Sequence, residues 1–254
     1  MSLTHIVETF FDIDRPAYRT TEEWVRFRHK FLHEYTLEAL MAQTFGDFRI
    51  LIHCGTRNEA LTRSLEWHGA VRTCYDYGRM FYGAIASDVA ITRIDSDDLL
   101  REDAMAAVRA AVRANPRAKA FAFKQNLCWD MINGIIFDHI RGSTPFVTRV
   151  WPAAVVRDWN RFRGLHFRAH GGDGLGDRGA LELPRRMVLV TKHGQNTNLL
   201  KRRKAHPVLT AQEKAGLKAY HDDGKVWKVG WRTIDPVEIA AIVRRFAVDD
   251  RRIP

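Results

Sequence analysis

Val89-Ala90-Ile91-Thr92-Arg93-Ile94-Asp95-Ser96-Asp97-Asp98 sets the frame for the whole chain: a short apolar, β-branched run stops abruptly at three carboxylates within four positions. An apolar run of this length with polar ends reads as a buried strand. Glu102 to Ala114 follows with helical spacing and is stopped by Asn115-Pro116. The same alternation holds upstream. His5 to Ile13 reads as an opening strand, Glu22 to Gln43 as a helix and Phe48 to Cys54 as a second strand. Thr56 to Trp67 is a helix with Thr56 as its cap, Val71 to Tyr75 a third strand, and Tyr77 to Ala86 a further helix. Strands and helices alternating at this spacing imply βαβ units in an α/β fold with a mostly parallel sheet. In such sheets ligands bind beyond the carboxyl ends of the strands, and the acidic stretch lies at one of those ends.

Downstream the pattern changes. Lys119 to Phe123, Cys128 to Met131, Gly134 to Asp138 and Pro145 to Val150 read as short strands, with Asn133-Gly134 as a turn. Pro152 to Phe162 reads as a helix, His166 to Gly179 as a glycine-rich loop, and Met187 to Thr191 as a strand that delivers His193. From Lys201 the chain is basic and helical in pattern. The expected division is therefore a main domain over residues 1–200 and a basic helical appendage over 201–254.

Three neighbouring carboxylates repel one another unless a positive group joins them. A hard divalent cation such as Mg²⁺ or Mn²⁺ does this and completes its shell with phosphate oxygens and water. If the stretch stays extended, Asp95 and Asp97 point to the same side. The competing reading has Asp97 or Asp98 capping the following helix. Arg93, directly before the motif, would pair with a phosphate or with the Asp cluster itself.

Composition narrows the classes. The chain has 254 residues, 46% of them hydrophobic and 28% charged, which excludes a wholly disordered or fibrous protein. No apolar run approaches the roughly 20 residues of a membrane-spanning helix. The acidic start of the chain, without a continuous apolar core, reads as lacking a signal peptide. Cys54, Cys74 and Cys128 form neither a disulfide framework nor a metal motif, so a reducing cytoplasm is expected. The formal net charge of +10 favours anionic partners. Its clusters lie at Arg26 to Lys30, Arg185-Arg186, Lys201 to Lys204 and Arg251-Arg252. Phosphates, DNA or an anionic membrane face with peripheral attachment would all suit them.

The combination resembles the GT-A-type glycosyltransferases, in particular a group classed as rhamnosyltransferases. The residues that carry the resemblance are Arg28-His29-Lys30-Phe31, Thr36-Leu37-Glu38-Ala39-Leu40-Met41-Ala42-Gln43-Thr44, Phe48-Arg49-Ile50-Leu51-Ile52, the DxD-like Arg93-Ile94-Asp95-Ser96-Asp97-Asp98 and Lys192-His193-Gly194-Gln195-Asn196-Thr197. It spans roughly residues 5 to 200. It implies a Rossmann-like GT-A fold and a nucleotide-diphosphate sugar as donor, with a hydroxyl of a glycan or lipid-linked molecule as acceptor. A Mn²⁺ or Mg²⁺ ion would sit on the diphosphate as a Lewis acid. By the same resemblance Asp95 meets the ribose or the metal, Asp97 binds the metal, and His193 is a late metal or phosphate ligand. Phe11, Asp12 and Asp14, then Gly55, Thr56 and Arg57, then Asp76 and Arg79, fall where it places the base and ribose. The general base of an inverting reaction falls on Asp173, with Asp177 as second choice. The usual Glu-Asp pair of similar enzymes is absent there.

Two decoys are set aside. Gly174-x-Gly176-x-x-Gly179 lacks the strand before it and the helix after it that a dinucleotide fingerprint needs. His166 and His170 have helical zinc spacing but no third soft ligand. The rival functions are a glycosyltransferase acting on a hydroxylated DNA base, a non-catalytic nucleic-acid binder and another metal-dependent phosphoryl enzyme. Asp97→Ala is expected to abolish metal-dependent nucleotide binding with the fold intact.

Overall fold

Four strands form the heart of the molecule: β1 (Leu3–Phe10), β2 (Arg49–His53), β3 (Val71–Cys74) and β4 (Asp88–Arg93). They pair in parallel in the order β4-β1-β2-β3. Their apolar runs are covered on both faces, as parallel strands require; Ile6, Val7, Leu51, Ile52, Val89 and Ala90 are all buried. The computed structural model describes residues 3–12, 21–140, 146–166, 179–193, 208–222 and 225–249.

The first crossover is α1 (Glu22–Phe31), started by the Thr21 hydroxyl, which accepts the Trp24 N–H. It runs through a π-helical turn (Leu32–Leu37) into α2 (Glu38–Met41), so the single helix expected here is present with a π insertion. The second crossover is a 3₁₀ turn (Thr56–Asn58) followed by α3 (Glu59–Ser64). Gly55, not Thr56, stands at the cap of that turn. The third is α4 (Arg79–Gly83). Here Gly78 has φ +79, and a Cβ on it would lie 2.9 Å from the Tyr82 ring, so this turn requires glycine.

After β4 comes the two-residue strand β5 (Leu99–Leu100) and then α5 (Ala104–Ala114). The helix start is tied by Gln43, whose Oε1 accepts the Met105 N–H at 3.0 Å. The Asp97/Asp98 capping alternative therefore fails: a strand separates them from the helix. β6 (Ala120–Ala122), β9 (Val147–Trp151) and β10 (Leu181–Glu182) complete a seven-stranded, mainly parallel sheet, in which β9 runs antiparallel to β4 and β6. β7 (Gln125–Asp130), β8 (Ile135–Ile140) and β11 (Val188–Lys192) build a second sheet with β5. The helix expected over Pro152 to Phe162 is two helices, α6 (Ala153–Arg157) and α7 (Trp159–His166), broken at Asp158.

The last stretch contains the helices expected of it, α8 (Ala211–Gly216) and α9 (Pro236–Arg244), and strands besides. β12 (Ala219–Asp222) and β13 (Lys225–Lys228) form a hairpin, and β14 (Arg232–Thr233) adds antiparallel to β8 at the edge of the second sheet. Ile239 and Val243 of α9, with Phe246 and Val248, pack on Leu127, Trp129, Ile136 and Leu189. Among the described residues no helix is long and apolar enough to cross a membrane.

His5 lies in β1 with its ring edge-on to Phe45. Burial, reinforced by Arg109, lowers its pKa from 6.5 to about 4. The unfolded chain then binds a proton that the folded chain refuses between about pH 6.5 and pH 4. Stability is complete above that window and falls as pH descends through it, by up to about 3 kcal/mol. His5→Leu is expected to flatten this acid slope in urea denaturation series run at several pH values. An unchanged slope would put the acid sensitivity elsewhere.

Candidate active site

The carboxyl ends of β1, β2 and β3 enclose a cleft lined by Phe10, His53, Cys54, Gly55, Thr56, Tyr75 and Tyr77. The His53 ring stacks on Phe10 at 4.5 Å and 16°. Tyr77 holds φ 57, a left-handed conformation uncommon for a bulky residue, at the rim of the cleft. On the other side of Phe10 lies the Arg93 guanidinium, 4.8 Å from the ring centroid. Arg93 also reaches Asp95, 3.7 Å from Oδ1. A flat aromatic ligand entering the cleft would have this cation between it and the acidic turn.

Asp95 to Asp98 is a tight turn, closed by the Asp98 N–H donating to the Asp95 carbonyl at 3.1 Å. It is not extended, so Asp95 and Asp97 do not share a side. Each carboxylate takes its own direction. Asp95 is 44% exposed beside Arg93. Asp97 accepts from Arg28 Nη1 at 2.6 Å and from His193 Nε2 at 3.2 Å, both on Oδ2. Asp98 turns inward, where Oδ1 accepts the Thr191 N–H at 2.9 Å.

The second sheet makes this arrangement. β5 follows the turn at once and pairs antiparallel with β11 in the register Leu99 to Leu189. Continued back into the turn, that register sets Thr191 across from Asp97, and the Thr191 hydroxyl donates to the Asp97 carbonyl. His193, two residues on, is thereby carried over the Asp97 carboxylate. Its ring also packs on Phe31 at 4.4 Å, so α1 supports it from the other side. Arg28 comes from the same helix and also donates to the Ser96 hydroxyl, and Thr36 donates to the Ser96 carbonyl at 3.3 Å.

The electrostatics follow from these partners. Burial alone would raise the Asp97 pKa, but the Arg28 and His193 contacts overcome it and hold the carboxyl far below the usual range. Asp98 is pushed well above that range, by burial first and then by Asp97 and Asp95. Arg28, equally buried, stays a cation because Asp97, Asp95 and Asp98 surround it.

Beneath the cleft lies a carboxylate invisible to motif reading. Glu8 is completely buried in β1. It accepts from His166 Nε2 at 2.8 Å on Oε1, and from His53 Nε2 at 3.1 Å and the Tyr82 hydroxyl at 2.9 Å on Oε2. With its Nε2 donating, His53 uses Nδ1 to accept from the Cys74 thiol at 3.2 Å. The cleft-lining imidazole is thus fixed at both nitrogens.

Several residues expected at the site have other neighbours. Phe11 is buried in the core against Trp67, and Phe10 is the ring that faces the cleft. Asp12 accepts from the Gly55 N–H at 2.6 Å and from Asn58 Nδ2 at 3.2 Å, which shapes the cleft wall from behind. Arg57 is exposed in the turn next to the cleft residues Gly55 and Thr56. Asp76 is exposed and accepts the Gly78 N–H at 3.0 Å at the start of α4. Asp173, Asp177 and the Lys201 to Lys204 run lie outside the described residues. Of the cluster Arg26 to Lys30, read as an anion patch, Arg28 is buried against Asp97, while Arg26 pairs with Glu22 on the exposed face of the helix and His29 meets the Glu66 carbonyl.

Among the described residues no three His, Cys, Asp or Glu side chains converge as a metal cage. Asp97 and His193 do converge, a carboxylate oxygen and an imidazole nitrogen 3.2 Å apart, both largely buried. That donor set fits a divalent ion taken up with its substrate, since Mg²⁺ and Mn²⁺ ordinarily use one or two protein ligands and fill the remainder with phosphate oxygens and water.

No family model matches the chain, and no curated protein does. Distant likenesses exist among solved structures. Rv0371c of Mycobacterium tuberculosis, solved in complex with manganese, is 16% identical over 80% of this chain and 98% of its own, with a TM-score of 0.35. TarS of S. aureus, residues 1–349 in complex with UDP, is 11% identical over 80% of this chain and 64% of its own, with a TM-score of 0.42. The 4-diphosphocytidyl-2C-methyl-D-erythritol synthase of Anaerococcus prevotii is 12% identical over 84% and 94%, with a TM-score of 0.34.

Proposed function

We propose that the chain is a glycosyltransferase of the GT-A type that moves a hexosyl or rhamnosyl group from a nucleotide-diphosphate sugar to a hydroxyl of a glycan or lipid-linked acceptor. The observation that carries this is the placement of an aromatic cleft and an acidic turn side by side at the carboxyl ends of one parallel sheet, with Arg93 between them. The cleft takes the nucleobase against Phe10 and His53. Arg93 meets the diphosphate from the cleft side. Asp97 and His193 would hold a Mn²⁺ or Mg²⁺ ion, which supplies a Lewis acid against the charge left on the departing diphosphate. Asp95, the exposed carboxylate of the turn, faces ribose or metal. Asp173, then Asp177, is the proposed base that takes the acceptor proton.

The nucleic-acid readings lose one cation of the Arg26 to Lys30 cluster, since Arg28 is buried against Asp97. A reducing cytoplasm, at the membrane face that presents lipid-linked acceptors, is the setting that goes with the proposal; the three cysteines are free and buried.

Incubation with each nucleotide-diphosphate sugar and Mn²⁺, followed by detection of free nucleoside diphosphate, tests the function without knowledge of the acceptor. Slow release from one donor class is expected, and release from none would overturn it. Phe10→Ala removes the ring on which His53 stacks and over which Arg93 lies, and is expected to weaken nucleotide affinity by disordering both, read by calorimetric titration. Unchanged affinity would move the base out of this cleft.

A further inference from the structure

Arg28 is a buried cation in the place where the sequence calls for a metal. Its side chain is 6% exposed, it lies 2.6 Å from Asp97 Oδ2, and it also holds the Ser96 hydroxyl. The Trp24 ring, 5.7 Å from the guanidinium, helps close it off. A guanidinium does not lose its proton in proteins, so the acidic turn carries its own permanent counter-charge.

We propose that Arg28 is a positioning residue that aims the Asp97 carboxylate and bars the acidic turn to a bare divalent cation, so that a metal enters only together with a diphosphate. The second half rests on the transferase reading above. The physical reason is charge balance. A lone divalent ion at Asp97 and His193 would have to share Asp97 with a guanidinium that already neutralises it at 2.6 Å, so it would meet a cation and no uncompensated negative charge, and that repulsion is strong where water is scarce. A diphosphate brings negative charge of its own. The metal–diphosphate pair is then drawn to Arg28 and Arg93, where the bare ion is repelled. Asp97 explains why a cation is needed there, and Arg28 supplies one before any substrate arrives.

Titration of Mn²⁺ alone, read by the loss of the free-ion paramagnetic resonance signal and by thermal shift, tests the claim on wild type, Arg28→Met, Arg28→Lys and Arg28→Met/Asp97→Asn. Wild type is expected to take up Mn²⁺ at this site only when a nucleoside diphosphate is present. Arg28→Met is expected to melt lower than wild type, to bind Mn²⁺ alone roughly tenfold or more tighter, and to recover part of its melting temperature in Mn²⁺. Adding Asp97→Asn should abolish that gain. Arg28→Lys keeps the charge and is expected to stay as unresponsive to bare Mn²⁺ as wild type. Tight uptake of bare Mn²⁺ by wild type overturns the proposal, and so does an Arg28→Met protein no more responsive than wild type. Should Arg28→Met fail to fold, wild type and Arg28→Lys still decide: tight uptake of bare Mn²⁺ by either overturns it. Failure of every nucleoside diphosphate to bind, with the bare-metal contrast intact, would sink the transferase reading and leave the charge-gating role of Arg28 standing.

Discussion

Asp97→Asn is expected to lose metal-dependent nucleotide affinity by roughly 100-fold or more, the scale seen when one charge-stabilising group leaves an active site. The side chain lies against His193 at 3.2 Å and is the carboxylate proposed to bind the metal. The sequence alone suggests that Asp97→Ala would leave the fold untouched, because a strand end lies outside the core. The structure corrects that expectation. Asp97 is the partner of a buried guanidinium, and removal of one half of a buried pair costs about 3 to 5 kcal/mol. In a domain of this size that lowers the melting temperature by roughly 10 °C. Asn preserves the shape and an acceptor for Arg28, so Asp97→Asn should melt above Asp97→Ala while binding equally poorly. Differential scanning calorimetry and nucleotide titration on the two variants separate the structural role from the metal role. Equal melting temperatures for Asp97→Ala and wild type would show that the Arg28 pair contributes nothing to stability.

Glu8→Ala is expected to be the most destabilising single change in the central sheet. It strands three donors, from His53, His166 and Tyr82, in a fully buried site. Each buried donor left without an acceptor costs about 1 to 3 kcal/mol, and because the three share one carboxylate the losses do not simply add. A drop of about 3 to 5 kcal/mol in unfolding free energy, measured in urea, is expected. The consequence extends to the cleft. His53 is stacked on Phe10 and is oriented by Glu8 on one nitrogen and Cys74 on the other. Glu8→Gln retains the volume but turns an amide N–H₂ toward one of the donors. It should therefore also weaken nucleotide binding, under conditions where it is still folded. Normal stability in Glu8→Ala would mean that the network is not built as described.

The parallel strands were legible because they are nearly continuous apolar runs set between helical periods, and the position of Asp95 to Asp98 at a strand end followed from that. The direction of each carboxylate was not legible. It depends on β5, a two-residue strand with no periodicity to read, and on its register with β11. Arg28 was visible as one member of a basic cluster and of the stretch that carries the resemblance, but not as the partner of Asp97, which lies 69 positions away. Glu8 offered still less, a single acid in a strand that also carries Thr4, His5 and Thr9, where burial is settled by tertiary partners that the strand itself does not encode. The C-terminal stretch was read from its charge as a helical appendage; its helices are present, and the contact it makes, apolar residues spaced along α9 packed on the second sheet, was not legible.

The central claim is that one strand-end site binds a nucleoside diphosphate together with a metal. A thermal-shift panel of UDP, GDP, dTDP, CDP and ADP, each with and without Mn²⁺, on wild type and Asp97→Asn, tests it most directly. Ligand at about 100 times its Kd adds about 2.7 kcal/mol to a native state that alone binds it, a rise of roughly 5 to 10 °C here. The account predicts such a rise for one nucleotide class only when Mn²⁺ is present, and none in Asp97→Asn. No rise with any nucleotide, or a rise that persists without metal and in Asp97→Asn, would contradict it.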